Sequence, residues 1–498
     1  MVKYDAIIQI DPADNVAVAL RAIARGEDIR TGDGMLRALE DIAPGHKIAL
    51  RNVAAGENIV KYGTPVGHAT RNIEAGQWVH SHNEATNLDG VLEYTYTPQV
   101  PEVKAQQPAT FDGYRREDGQ VGIRNEIWIV NTVGCVNRTA QRIADEAGRR
   151  FAGRTDGIFS FSHPYGCSQL GDDLEATQKA LAGLAHNPNA AGVLVLSLGC
   201  ESNNLGVFRK FLADVPEGRI RYLISQEVED EVEEGVRLVG ELVEYAARFH
   251  REPCPVSDLV IGLKCGGSDG FSGITGNPLL GTLADRVTAQ GGTAILSEVP
   301  EMFGAEQSLM NRCADRGLFD QTVQLINGFK EYYQKHGQVV FENPSPGNKE
   351  GGITTLEEKS CGCIRKGGTG PVKGVLQYGD RAAGHKGLVL LQAPGNDLVA
   401  STAEAVAGAQ MVLFTTGRGT PYGGPVPTLK ISTNTPLFRR KGNWIDFDAG
   451  QLLTTDDAGR VEDDFFRFVL DVASGRKLAR TEENGYREIA IFKDGVTL

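Results

Sequence analysis

A chain of 498 residues, 41% hydrophobic and 23% charged, has the makeup of a globular protein too long for a single hydrophobic core, so several domains are expected. The formal net charge of −13 argues against a general nucleic-acid or anionic-membrane surface, and no stretch approaches the ~20 apolar residues of a membrane span. Eight cysteines are too sparse for a disulfide scaffold, and the opening Met1-Val2-Lys3-Tyr4-Asp5 lacks signal-peptide features. A cytoplasmic protein is expected, with reduced thiols, some of them metal-binding or reactive.

Residues 1–97 carry a degenerate repeat: apolar residue, two residues, Gly, two residues, apolar residue. It recurs at Ile23–Ile29, Ile42–Ile48, Val53–Ile59 and Ile73–Val79. Each glycine is expected in a tight turn between short strands, giving a small β module. The module ends in His80-Ser81-His82-Asn83. On a strand, His-x-His sets both imidazoles on one face, which suits a metal or a substrate; the alternative is two surface histidines bonded locally. Residues 98–110 hold three prolines and little apolar material, and read as an exposed tether.

From Phe111 onward strand-like runs alternate with helical patterns over Arg138–Phe151, Leu174–Ala185 and Glu227–Phe249, which predicts a parallel sheet between helices. Three strands end in Gly-Cys loops: Ile127–Val130 before Gly134-Cys135, Gly157–Phe161 before Gly166-Cys167, and Val193–Leu196 before Gly199-Cys200-Glu201. Pro253 and Pro255 precede a further strand, Leu259–Leu263, so the first α/β domain is set at 111–252 and a second at 253–498. That strand stops at Lys264-Cys265-Gly266-Gly267-Ser268-Asp269. Ala294–Leu296, Leu388–Leu391 and Val412–Thr416 are expected beside it, each ending in a polar loop. Asn343–Gly352 is too rich in Gly, Pro and polar residues to read as anything but a loop.

Ligands of open α/β sheets bind beyond the strands' carboxyl ends, where this chain concentrates its reactive groups. Cys135, Cys167 and Cys200, with Glu201, form the predicted metal set, because thiolates select Zn, Fe or an iron–sulfur cluster; the alternative is small buried hydrophobes. Cys254 and Cys313 read as structural, and Cys361-Gly362-Cys363 is a tighter pair able to bind metal that lacks the two intervening residues of common zinc and redox motifs. His163 and Lys264 are the proton-transfer candidates, Lys264 through a pKa lowered by burial, with Asp269 as a catalytic carboxylate beside Glu298 and Glu301. Arg124 and Arg418 lie in Gly-rich loops and suit a bidentate carboxylate clamp. Gly266–Gly273 has neither the Gly-Lys-Ser/Thr ending of a P-loop nor dinucleotide spacing.

These motifs resemble the altronate and galactarate dehydratase family of sugar-acid hydro-lyases. The residues that carry the likeness are Gly113-Tyr114-Arg115 with Val121–Asn125, His163–Cys167, Leu198–Glu201, Lys264–Asp269, Asn343–Lys349 and Thr415–Gly423, spread over essentially the whole chain. The resemblance implies an N-terminal SAF-type β-clip domain followed by two α/β domains with mainly parallel sheets. It also implies a divalent metal, Fe2+ before Mn2+, with an iron–sulfur cluster left open. The ending His80-Ser81-His82-Asn83 resembles the altronate branch.

The expected reaction is dehydration of D-altronate to 2-dehydro-3-deoxy-D-gluconate, with His80, His82, Asn83, Arg124, Asn348, Lys349 and Arg418 on the substrate. Galactarate or another aldarate, and a sugar-acid binder without turnover, are the alternatives. The expected partner is a small sugar acid, with neither nucleic acid nor membrane; a homo-oligomer is left open.

Overall fold

A computed structural model describes residues 1–495, so the last three residues of the expected C-terminal domain lie outside the described residues. The N-terminal repeat resolves into short antiparallel strands. Five of them, in the order Val2–Lys3, Ile7–Gln9, Val16–Ala19, Lys47–Ala49 and Trp78–Val79, form one sheet, with a three-stranded sheet and a hairpin beside it. Gly26, Gly45, Gly56 and Gly76 all take φ between +82° and +88°, the left-handed turn that glycine adopts without strain. The leading apolar residues pair across the repeat as Ile23 with Ile42 and Val53 with Ile73, all four buried.

The middle sheet is parallel, ordered Gly157–Ser160, Glu126–Asn131, Ala190–Ser197, Ile220–Ile224. Alternation along its central strand divides the core. Ile127 and Ile129 pack under helices Asn137–Arg150 and Glu231–Ala246, whereas Trp128 and Val130 face helix Gly171–His186 and the C-terminal domain. The C-terminal sheet has seven parallel strands, ordered Val372–Leu376, Gly387–Leu391, Thr293–Leu296, Val260–Cys265, Met411–Thr416, Thr428–Ser432 and Phe447–Asp448. Its central strands are continuous apolar runs, as burial on both faces requires.

Two expectations change. Pro253 and Pro255 sit inside a strand, Arg251–Pro255, that pairs with Thr110–Arg115; a boundary at 252/253 cuts through it. The strand lies at a sheet edge, where missing N–H groups are tolerated. The two α/β units are further joined by the chain's end, where Arg487 donates to Glu126 at 2.7 and 3.0 Å. Within Asn343–Gly352, residues Pro346–Glu350 form a short helix closed by a capping box between Ser345 and Asn348. The N-terminal module, tethered by residues 98–110, docks over the larger body, as such a tether allows. Lys47 reaches Glu358 (2.5 Å) and Glu84 (3.1 Å), and Lys61 reaches Glu358 (2.8 Å), with every partner buried.

Candidate active site

From Val260–Cys265 the chain crosses through helix Gly276–Ala289 to Thr293–Leu296 on one side, while Met411–Thr416 pairs on the other. The crevice beyond the carboxyl end of Val260–Cys265 is therefore the switch point where doubly wound sheets hold ligands. A polar network fills it, buried except for the partly exposed Asp397. Lys264 Nζ pairs with Glu298 and with Asp397 (2.8 Å), Lys366 Nζ with Glu298 and with Cys265 Sγ (3.0 Å), and Lys359 Nζ with Glu301 (2.9 Å). Glu298 adopts a left-handed φ of +65°, strain that its bonds to both lysines and to the Cys265 N–H offset.

Inside this network lie Cys265, Glu301 and Cys363. Both thiols donate to Glu301 Oε2, at 3.2 and 3.0 Å, and their sulfurs are 3.3 Å apart. Among the described residues this is the one group of three potential metal donors whose ligand atoms lie within 4.8 Å of one another. Burial works to raise the Glu301 pKa, but Lys359, Lys264 and Lys366 hold it well below the ordinary carboxylate range. The Cys363 thiol is pushed well above its usual value, first by its bond to Cys265 and then by burial.

The donor set fits a metal. Three ammonium groups already balance three carboxylates, so a divalent cation that displaces the two thiol protons enters without changing the net charge. Two thiolates and one carboxylate suit Zn or Fe(II), and three protein ligands leave a coordination position open.

Next to Cys363, a cavity of about 10 Å³, room for about one water, is lined by Lys61, Tyr62, Ser268, Asp269 and Lys359. Ser268 Oγ is buried there with no hydrogen-bond partner. Asp269 accepts from Thr433 (2.9 Å), Asn434 (3.0 Å), Ser272 and the Phe271 N–H, so it ties two strand-end loops together. Its carboxyl pKa is raised by burial, which those donors partly offset.

The N-terminal module closes the rim. Gly45 packs against Gly270 and Gly352; a Cβ on Gly270 would lie 1.9 Å from the Gly45 carbonyl, so a side chain there forces the domains apart. His80 Nε2 donates to the Lys349 carbonyl (2.8 Å) and His46 Nε2 to that of Glu350 (3.2 Å), while Trp78 stacks between His80 and His82. Burial draws the His80 pKa down to about 4, and also lowers that of His82. Asn83 is spent on the turn: it accepts from the His80 N–H and donates to the Trp78 carbonyl.

Asn348 ties the rim to the buried network, donating to the Ser268 carbonyl (2.9 Å) and accepting from Lys359 (3.2 Å). Lys349 Nζ and the His82 ring make no hydrogen bond among the described residues, and exposed Arg418 reaches the Gly347 carbonyl (3.2 Å) and Glu350 (3.1 Å). His82 and Lys349 thus offer an imidazole and an ammonium without hydrogen-bond partners among the described residues, and Arg418 a guanidinium already paired with Glu350.

The structure does not gather every expected residue there. Lys264 is no base: burial lowers its pKa, but Glu298, Asp397 and Glu301 more than reverse this, and the ammonium stays charged. Arg124 clamps no ligand, because its guanidinium is consumed by Glu482 (2.7 and 2.9 Å) and the carbonyls of Ile123 and Val472. His163 is buried in the middle domain, its Nε2 on the Asn131 carbonyl (2.8 Å) and its Nδ1 accepting from the Tyr165 N–H (3.2 Å). Both ring nitrogens are in use in ordering a loop. Glu201 is engaged by its own loop and its neighbours: Oε1 accepts from Thr132, Ser197 and Leu198 N–H, and Oε2 from Gly199 N–H. Cys135, Cys167 and Cys200 are exposed in that domain and share no contact with the Cys265 network among the described residues.

Sequence reasoning passed over Lys359 and Lys366. Every member of the run Glu357-Glu358-Lys359-Ser360-Cys361-Gly362-Cys363 is buried, despite its charged residues. Its one signal was the doubled cysteine.

Comparison with known proteins gives three adjoining family matches. Residues 5–87 match the altronate/galactarate dehydratase SAF domain, 113–247 the D-galactarate dehydratase/altronate hydrolase second domain, and 256–497 the D-galactarate/altronate dehydratase C-terminal domain. The chain is 51% identical to an altronate dehydratase of Bacillus subtilis over 99% of its own length and 100% of the relative's. It is 49% identical to one of Escherichia coli, over 99% of each chain. A galactarate dehydratase (L-threo-forming) of Escherichia coli is 32% identical, over 97% of this chain and 96% of that one.

Proposed function

The chain belongs to the altronate/galactarate dehydratase family, and from that membership we propose that it is a hydro-lyase that converts D-altronate to 2-dehydro-3-deoxy-D-gluconate and water. The observation that carries the choice of substrate is identity of about half, end to end, to two altronate dehydratases, against 32% to the galactarate enzyme.

The reaction removes the proton at C2, next to the carboxylate, and expels the C3 hydroxyl; the enol that results ketonises. Lys349 and Arg418 bind the substrate carboxylate, and by neutralising it they make the C2 proton more acidic. His82 is neutral at pH 7 and has an unoccupied ring nitrogen, so it takes the C2 proton. His80, held by the Lys349 carbonyl, and Asn83, which shapes the turn, are positioning residues.

Cys265, Glu301 and Cys363 would hold the divalent ion, Fe2+ over Mn2+ because thiolates prefer the softer metal. When bound, that ion supplies Lewis-acid activation of the substrate's hydroxyl and carboxylate oxygens. Lys264, Lys359 and Lys366 keep the acidic cluster neutral in the low-dielectric interior.

The test is keto-acid release from a panel of sugar acids by the Fe2+-loaded protein. Altronate should be turned over at least tenfold faster than galactarate. Faster release from galactarate would transfer the assignment to the other branch, and binding of altronate without product would favour a non-catalytic binder.

A further inference from the structure

The middle domain holds a second thiol constellation that the dehydration chemistry above does not use. Its central strand pairs Asn131 with Leu196, so Cys135 and Cys200 both lie four residues beyond one register position. On the other side Ile129 pairs with Ser160, which places Cys167 only one residue further along than Cys135. Three adjacent parallel strands therefore release a cysteine from the same sheet edge at the same depth. All three are free and exposed.

The loops that carry these cysteines are laced together. Gly134 N–H donates to the Tyr165 carbonyl (2.8 Å), Asn203 N–H to that of Gly166 (3.0 Å), and Asn203 Nδ2 to that of Thr132 (3.0 Å). Gly166 takes φ +97°, and a Cβ there would stand 2.0 Å from the Thr132 carbonyl, so only glycine permits the approach. His163 and Glu201 serve the same lacing. Helices Asn137–Arg150 and Gly171–His186 begin just after Cys135 and Cys167, and neither has a side-chain cap at its N-terminus. Their positive ends favour an anionic group at the thiols. Gln226 Nε2 donates to Cys200 Sγ (3.5 Å) and Ser168 Oγ lies 3.7 Å from Cys167 Sγ, the kind of contact that sulfur ligands of iron receive.

Size decides which group fits. Three thiolates on a single tetrahedral ion stand about 3.8 Å apart, given metal–sulfur bonds of about 2.3 Å. The sulfurs of Cys135, Cys167 and Cys200 do not all lie within 4.8 Å of one another. A cluster, whose ligands bind different irons, spans a wider triangle.

We propose that Cys135, Cys167 and Cys200 ligate three irons of a [4Fe–4S] cluster at the carboxyl edge of the middle sheet, leaving the fourth iron without a protein ligand. The assignment is independent of the altronate reading. It also accounts for three surface thiols, which in a reduced protein are otherwise an oxidation liability.

The experiment is anaerobic reconstitution of the full chain with ferrous iron and sulfide, followed by iron and acid-labile sulfide analysis and electron paramagnetic resonance after reduction. Wild type should hold about four sulfides per chain and give the signal of a reduced cluster. The variant C135S/C167S/C200S should lose both while its circular dichroism is unchanged. Sulfide below about one per chain in wild type, iron without sulfide, or equal sulfide in the variant would each overturn the assignment.

Alkylation of the wild type gives a reading that needs no variant. The three thiols should be protected together in the reconstituted protein and labelled together after the cluster is stripped. Full labelling before stripping would count against the cluster.

Discussion

The chain has two cysteine regions, built in opposite ways. At Cys265 and Cys363 the thiols are buried and linked through Glu301, inside a shell of three lysines and three carboxylates. At Cys135, Cys167 and Cys200 the thiols are exposed, and the buried polar work is done by the groups behind them, His163 and Glu201, which hold loops. In the first region an ionisable group is buried because its charge is balanced by a neighbour; in the second, burial belongs to the scaffold and exposure to the ligand. A buried His or Glu near a thiol is thus not by itself a catalytic residue, and its hydrogen-bond partners decide.

The sharpest way to break this comparison is Glu301→Gln. It removes the carboxylate shared by two thiols and Lys359, leaving a buried ammonium uncompensated. Keto-acid release should fall below detection, bound iron at this site should be lost, and stability should drop by about 3–5 kcal/mol in denaturant titration. An active, iron-replete variant would end the claim that this cluster is a metal site.

Arg124→Met should cost up to a similar ~3–5 kcal/mol, because buried Glu482 then keeps only the more distant Arg487 (3.8 Å) as a cationic partner, yet the folded variant should keep kcat and KM within about threefold. A large rise in KM would restore Arg124 as a substrate clamp. His163→Gln should change kcat by less than about tenfold, whereas loss of a general base costs about 10²–10⁴.

The smallest effect concerns the domain joint. His80 binds protons less readily folded, at about 4, than unfolded, near 6.5. Its contribution to stability is therefore complete above about pH 6.5 and is lost as pH falls towards 4. The thermal midpoint should drop over that window, less steeply in His80→Gln.

Much of the fold was legible because periodicity reports burial. The strands expected from apolar runs in both sheets, the three helices expected in the middle domain and the glycine turns of the N-terminal module stand near their expected places, whereas Ile220–Ile224, Val372–Leu376 and the helices of the C-terminal domain were not anticipated. Thr428–Ser432 went unseen: its interior lysine, Lys430, breaks the apolar run and is buried with its ammonium 3.4 Å from the Phe414 ring centre. Glu301 and the doubled cysteine were visible in the sequence as possible metal donors, but their meeting with Lys359 was not, since Glu301 lies on a separate segment and the charges cancel only in three dimensions. Composition shows those charges without showing their partners.

The account rests most on the joint between the N-terminal module and the C-terminal sheet being where a sugar acid loses water. Steady-state keto-acid release from D-altronate by His82→Asn tests this directly, because His82 is exposed and its replacement leaves the fold and the thiol network intact. We expect kcat to fall about a hundredfold or more with circular dichroism and bound iron unchanged. A variant that turns over altronate within about threefold of wild type would contradict the account.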